Sequence, residues 1–427
     1  MSKANHQRVA FSEGEVMTNP VQHPIFILPS SLRGSTVAVV LLCVILTQSA
    51  QEQTFTVLHN FTGGADGGTP YAPVTVDGRG DLYGTTSSGG SGGVVFKMTH
   101  TNGAWTFGTL YSFGAPNDPV FPYAGVVFGP DGTLYGTGSA GGTHGAGAVF
   151  NLQPPPHFEA NVFAPWTETV LYSFEGGDDG LTPYASVTFD RAGNIYGTTY
   201  NGGAGRQGTV YKLTRSGGGW TESVLYNFAG SNGQGPIGGV IIDNAGNLYG
   251  TTQMGGLYQD FGEVYELTYA APVGWTESFL YSFDQNGPSA PTATLMFGPS
   301  GNIYGTTASG EGSIFDLTPS GSTWIYHLLY GGGGGIEECG DRGGLAMDAA
   351  GNFYGTTTCD GAHGSGSVFK LSYINGVWTS TTLYSFTGGS DGEFPEAGPA
   401  LDANGNLYGT TTQGGAYGNG VVWEVTP

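Results

Sequence analysis

From residue 54 onward the chain alternates apolar and polar positions in short runs broken by glycine, and it never holds the three-to-four spacing of a helix. One stretch serves as a template. Ala185 to Asp190 alternates around Val187 and Phe189, and Asp190-Arg191-Ala192-Gly193-Asn194 supplies a turn in which Gly193 is free to take a positive φ. A second short strand is predicted over Ile195 to Tyr200. After the glycine-rich loop Asn201 to Gly208, Thr209 to Thr214 alternates as a half-buried strand does, and a turn over Ser216 to Gly219 leads into a fourth strand, Trp220 to Phe228.

This unit recurs. Tyr-Gly-Thr begins at Tyr83, Tyr135, Tyr196, Tyr249, Tyr304, Tyr354 and Tyr408, with spacings of 52, 61, 53, 55, 50 and 54. Periods of that size mark propellers, solenoids or arrays, and four antiparallel strands per unit make each repeat a propeller blade. The expected fold is all-β, a seven-bladed β-propeller spanning residues 51–427. Its ends are permuted: Thr54 to Phe61 aligns with the fourth strand Thr221 to Phe228, whereas Val421 to Thr426 is a third strand with no fourth after it. The N-terminal strand is therefore expected to complete the last blade and remove an open sheet edge. Trp105, Trp166, Trp220, Trp275, Trp324 and Trp378 repeat with the blade near the start of each fourth strand, so their expected role is packing one sheet on the next.

The unit Gly-Asn-Leu-Tyr-Gly-Thr-Thr, a Gly-Gly spacer, Val-Phe-Lys-Leu, Trp-Thr and Leu-Tyr-Ser-Phe resembles the GloVer (Gloeo_Verruco) repeat of bacterial choice-of-anchor tandem-repeat proteins over residues 54–427. The resemblance implies an exported protein of the bacterial cell envelope or medium, and it brings no catalytic residues. Such proteins often carry a C-terminal sorting segment. Here the sequence stops at Pro427 directly after a strand, so release is expected in preference to anchoring.

Residues 1–50 read differently. A polar lead ends at Arg33, an apolar run extends from Val37 to Leu46, and Thr47 to Ala50 supplies small residues suited to cleavage. Ten apolar residues are too few to span a bilayer, which takes about 20, so a secretory signal is expected and no membrane span in the mature chain. Cys43 follows Leu42, where a lipidation site has a small residue.

Charge narrows the partners. The net charge is -22, from 33 acidic against 11 basic residues, which excludes nucleic acid and anionic membrane surfaces. Glycan, extracellular protein and cations remain, and a monomer is expected. Glycine (79 residues) and proline (23) approach the disordered range, but the 24 Tyr, 24 Phe and 7 Trp supply enough buried area to fold.

Candidate chemistry is sparse. Blade connections and second-to-third-strand loops are expected on one face, the candidate binding surface. Asp66, Asp118, Asp178, Asp179, Glu337, Glu338 and Asp391 fall there, with Asn232 and Asn286 replacing Asp in other blades. These carboxylates suit sugar hydroxyls or calcium, the latter at Asp178 and Asp179; ordinary Asp-Gly turn chemistry is the preferred reading. His144 and His363 occupy equivalent loops and read as inherited with the repeat. No serine elbow, HExxH or phosphate loop is present. Glu393 with Glu396, or Glu337 with Glu338, are the candidate pairs for acid–base work. Two functions stand: a non-catalytic glycan- or protein-binding propeller, and a secreted carbohydrate-active hydrolase or lyase at the channel mouth. Finally, Cys339 and Cys359 average to position 349 inside the turn Asp348 to Asn352, so a hairpin would set them opposite each other, about 4.5–5.5 Å apart and within reach of a disulfide.

Overall fold

A computed structural model describes residues 53–155, 166–258, 260–309, 312–331 and 343–426. The described residues form seven four-stranded antiparallel sheets arranged as a seven-bladed β-propeller. Blade 3 shows the plan, with strands Thr188–Phe189, Ile195–Thr199, Thr209–Ser216 and Gly219–Asn227 in sequential order. The second strand Ile195–Thr199 is buried at every residue, because each sheet is covered on both faces by its neighbours. Fourth strands alternate between half-buried and exposed.

Each residue of Tyr-Gly-Thr has its own physical reason. The threonine hydroxyl donates to a backbone carbonyl of the next blade: Thr85 to Ala124 (2.8 Å), Thr137 to Ala185 (2.9 Å), Thr198 to Gly238 (3.1 Å), Thr251 to Ala293 (3.3 Å), Thr306 to Gly343 (3.0 Å) and Thr356 to Ala397 (2.9 Å). Thr410 donates to Ala72 (3.0 Å), which joins blade 7 to blade 1. Each bond contributes on the order of 1 kcal/mol, and the seventh closes the ring independently of the N-terminal strand. The glycine leaves room for a third-strand aromatic: a Cβ on Gly84 would sit 2.4 Å from the Phe96 ring, and one on Gly409 2.2 Å from Trp423. The tyrosine packs under the following blade's tryptophan, as Tyr408 does with Trp105, and its hydroxyl reaches the Asp-x-x-Gly turn, as Tyr196 does to Asp190 (3.1 Å). That Asp190 also accepts the Ala192 and Asn194 amides, while Gly193 sits at φ +82°.

The N-terminal strand Thr54–Asn60 pairs antiparallel with the C-terminal strand Val421–Thr426, from Thr54↔Thr426 to Asn60↔Val421. It carries the same bulge that interrupts third-to-fourth-strand pairing in other blades. Blade 7 is thus assembled from both ends of the chain. In blade 6 the first and second strands pair as Ala346↔Tyr354 and Met347↔Phe353. This ladder centres on Ala350, not on 349, because the Asp348 to Asn352 hydrogen bond sets the turn. The opposition of positions 339 and 359 therefore does not follow from the hairpin register, and Cys339 lies outside the described residues.

Adjacent blades also meet through one fourth-strand position, the residue opposite the leucine, methionine or valine of the third strand. It is Phe55, Phe107, Glu168, Glu222, Glu277, Tyr326 and Ser380 around the ring. Phe55 stacks on Tyr384 (3.7 Å between centroids), Phe107 on His59 (3.9 Å) and Tyr326 on Tyr281 (4.1 Å). The three glutamates face Tyr111, Tyr172 and Tyr226 instead.

Candidate functional site

The first strands of successive blades bond to one another, Thr75 to the Val126 carbonyl and Thr188 to the Val240 carbonyl, so they line the central channel. Blade connections and second-to-third-strand loops share one face, since their backbones pair directly. Gly68 bonds the Ser88 carbonyl (2.9 Å), Leu181 that of Asn201 (2.9 Å), Gln234 that of Met254 (2.8 Å) and Glu393 that of Gln413 (2.8 Å).

One residue per connection ties this face together. Thr69, Phe121, Thr182, Ala290 and Phe394 each precede a proline and adopt a left-handed conformation, with φ between +53° and +61°. Such non-glycine positions cost about 1–3 kcal/mol and persist only where the surroundings enforce them. Here they are enforced on both sides. The Thr182 amide donates to Ala146 of the previous blade (2.9 Å), and its carbonyl accepts from Tyr200 of its own (3.0 Å). The same pair of bonds holds Phe121 and Phe394. The belt fixes the entry of each first strand into the channel.

The residue after the proline lies on this loop-bearing face, between the belt and the first strand. In blades 1 to 3 it is Tyr71, Tyr123 and Tyr184, which with Tyr200 form a continuous arc, tilted at the first contact and edge-to-face at the next two, with centroid separations of 5.0, 5.4 and 5.5 Å. All four are half-buried. Burial, with Tyr123 and Tyr200 beside it, pushes the Tyr184 phenol up. Tyr200 is steadied by its hydrogen bond to Gln253 (3.3 Å). Ile237, Thr292 and Glu396 hold the same position in blades 4, 5 and 7, so among the described residues the aromatic positions are those of blades 1 to 3.

The predicted carboxylates serve the turns that carry the belt. Asp66 accepts from the Thr62 amide (3.0 Å) and His59 (3.1 Å). Asp118 takes the Gly114 and Ala115 amides and the Tyr111 hydroxyl (3.1 Å). Asp179 takes the Glu175 amide (2.7 Å) and the Tyr172 hydroxyl (2.9 Å), and Asp391 the Thr387 amide (2.9 Å) and the Tyr384 hydroxyl (2.9 Å). Burial opposes ionisation of Asp391, but the Thr387 hydroxyl and amide outweigh it and hold the carboxyl below its ordinary range. Asn232 caps the blade 4 connection through the Ala229 amide (2.7 Å), whereas in blade 5 the cap is Asp284, not Asn286. Asp178 is exposed beside Asp179. Glu337 and Glu338 lie outside the described residues. Among the described residues no three His, Cys, Asp or Glu side chains converge on one point.

Two features escaped the sequence reading. The arc is signalled only by Pro-Tyr-Ala at 70–72, 122–124 and 183–185. The second is the row of glutamates in Trp-Thr-Glu at 166–168, 220–222 and 275–277. Burial first, and then the charge of the neighbouring aspartate, pushes Glu168 and Glu222 up to about 7. On the opposite face a cavity of about 510 Å³ opens beside the Asp77 to Arg79 turn, walled by Tyr83, Phe128 and Trp166.

Among the described residues no helix is long and apolar enough to cross a membrane. A search of curated proteins finds no relative of the chain. The structure is similar to the extracellular domain of a hybrid two component system from B. thetaiotaomicron, with a TM-score of 0.52 and 14% identity over 88% of this chain and 41% of that one. It is also similar to PorZ, a surface component of the type-IX secretion system of Porphyromonas gingivalis, with a TM-score of 0.48 and 15% identity over 83% of this chain and 46% of that one. The chain therefore spans less than half the length of either protein, and at these identities the likeness is one of fold. The family model of the Gloeobacter/Verrucomicrobia repeat matches residues 43–188, 163–336 and 262–427, and the chain belongs to that family.

Proposed function

We propose that the protein is an exported, monomeric, non-catalytic binding module that takes a neutral glycan at the loop-bearing mouth of its channel. The observation that carries this reading is the arc Tyr71–Tyr123–Tyr184–Tyr200. Aromatic faces take the C–H faces of pyranose rings, tyrosine hydroxyls exchange hydrogen bonds with sugar hydroxyls, and the belt preorganises the arc so that little entropy is lost on binding. The net charge of -22 disfavours acidic polysaccharides. Export is supported by the apolar run Val37 to Leu46 and the small residues after it. The alternative, a carbohydrate-active hydrolase or lyase, is supported by Glu396, which holds in blade 7 the position that Tyr71 holds in blade 1.

A glycan array with the purified protein, followed by Tyr123→Ala and Tyr184→Ala, is the test. Each substitution is expected to weaken binding of a neutral glycan by about tenfold or more, on the scale of about 1–3 kcal/mol for a stacked ring. Binding that ignores both substitutions sinks the reading. Release of shorter saccharides by the wild type, lost in Glu396→Gln, establishes the hydrolase instead.

A further inference from the structure

Glu263 opens the third strand of blade 4 and is fully buried, yet neither of its carboxylate oxygens has a partner. The equivalent residue is Val94, Ala148 or Val421 in three blades and a hydroxyl residue in the other three. There Thr209, Ser313 and Ser367 bond the facing threonine at 2.8, 2.8 and 2.7 Å. In blade 4 the facing Thr252 donates to the Met254 carbonyl (3.0 Å), as Thr199 does to Asn201 (3.0 Å), and makes no bond to Glu263. The carboxylate is the exception to its own repeat.

A second carboxylate meets it. Glu277 lies within hydrogen-bonding reach of Glu263; its Oε2 accepts the Tyr226 hydroxyl (3.0 Å) and its Oε1 has no partner. The Tyr265 hydroxyl, fully buried and unpartnered, is close enough for both carboxylates to raise its phenol further than burial alone. Gly233 and Gly256, at φ +97° and +84°, pack against the Glu263 carboxylate: a Cβ would come within 2.6 Å of its Oε1 or 2.9 Å of its Oε2. Among the described residues no Lys, Arg or His forms an ion pair with either glutamate.

Two buried carboxylates in contact are relieved by one of two things, a shared proton or a cation. The oxygens available are four from the carboxylates and two from Tyr226 and Tyr265, and six oxygens are the lower end of what calcium takes. We propose that Glu263 and Glu277, with the Tyr226 and Tyr265 hydroxyls, form a binding site for a hard divalent cation of the calcium class between blades 3 and 4. Its place is distinct from Asp178 and Asp179, and the cation acts as a rivet that removes the repulsion within blade 4 and ties it to Tyr226 of blade 3.

The test is calorimetric titration of the chelator-stripped full chain with CaCl₂ and with MgCl₂, alongside melting in each. One calcium per chain is expected, with a higher Tm in calcium than in chelator. Glu263→Gln and Glu277→Gln, which relieve repulsion and so leave the fold intact, are expected to weaken binding about tenfold or more and to abolish the calcium-dependent part of Tm; Asp178→Asn is expected to change neither. A wild type whose Tm ignores calcium and climbs as pH falls overturns the site in favour of a shared proton. Calcium binding that survives both glutamine variants overturns it too, and its loss in Asp178→Asn would locate the cation at the connection of blade 3.

Discussion

At the seam of blades 7 and 1 with their neighbours, Phe55 lies flat on Tyr384 and Phe107 on His59, with interplanar angles of 5° and 9°. At the same register position two or three blades away, Glu168 and Glu222 push carboxylates into half-buried sites where one oxygen of each has no partner. Both kinds of seam carry the threonine-to-carbonyl bond and the tyrosine-under-tryptophan packing. The comparison teaches that the inner contacts close the ring and leave the outer fourth-strand position free to diverge. Two of the stacked seams flank the blade where the chain ends meet, and a third, Tyr326 on Tyr281, lies between blades 4 and 5. Acidic seams occupy blades 2 to 4, whose strands are consecutive in the chain.

The strongest way to break the comparison is to remove the stacked seam that holds the ends. Deleting residues 54–60 takes away Phe55 and leaves the Val421–Thr426 edge unpaired, while the Thr410 to Ala72 bond remains. The expected outcome is a steep loss of Tm with self-association, read by light scattering and calorimetry, because an exposed edge strand pairs with another copy. An unchanged Tm and monomeric mass would show that the inner bonds alone suffice.

The next test falls on the seam that has neither device, where Tyr330 and Ser380 occupy the paired positions. Cys339 and Cys359 belong to blade 6, and a disulfide between them would close a loop of about 20 residues, worth roughly 3 kcal/mol in the chain-entropy model. Reduction is then expected to lower Tm more than any single seam glutamate does. Non-reducing peptide mapping decides it, since full alkylation of both thiols in denatured, unreduced protein means there is no bridge.

How much of this was legible depended on whether partners share a repeat. Tyr-Gly-Thr, the Asp-capped turns and the permuted ends are local or periodic, and they specified blades, ring and closure. The stacking partner of Phe55 is 329 residues away at Tyr384, and Trp-Thr-Glu gives no sign that Glu222 will face Tyr172 of another blade. The tyrosine arc was hidden for a similar reason: its members lie in what read as connections, and Tyr71, Tyr123 and Tyr184 each come two residues after a left-handed residue that the chain alone does not announce. The centre of the blade 6 hairpin differs on a smaller scale, lying at 350 and not at 349. First strands of two residues carry no alternation, so only the Asp348 turn could have set the centre at 350.

The smallest expected effect is also the most direct measure of what the acidic seams cost. Glu222 ionises at about 7 in the folded chain against about 4.5 when unfolded, so the native state holds a proton that the unfolded state has released across that interval. Its contribution to stability is complete below about 4.5, falls as pH rises and is lost above about 7. Glu168 behaves alike. The aspartates with lowered pKa, such as Asp391, act in the opposite direction but below pH 4, so the two windows separate. Because Glu222 is only half-buried, screening reduces the effect to about 1 kcal/mol. Glu222→Gln should flatten the decline of Tm between pH 4.5 and 7 and raise Tm at pH 8. Glu222→Phe should do both and add a stack on Tyr172 like that of Phe107 on His59, worth a further ~1 kcal/mol, because it converts an acidic seam into a stacked one. If Phe stabilises no more than Gln, the acidic seams are shaped for a carboxylate; if neither variant alters the pH slope, Glu222 does not hold the proton.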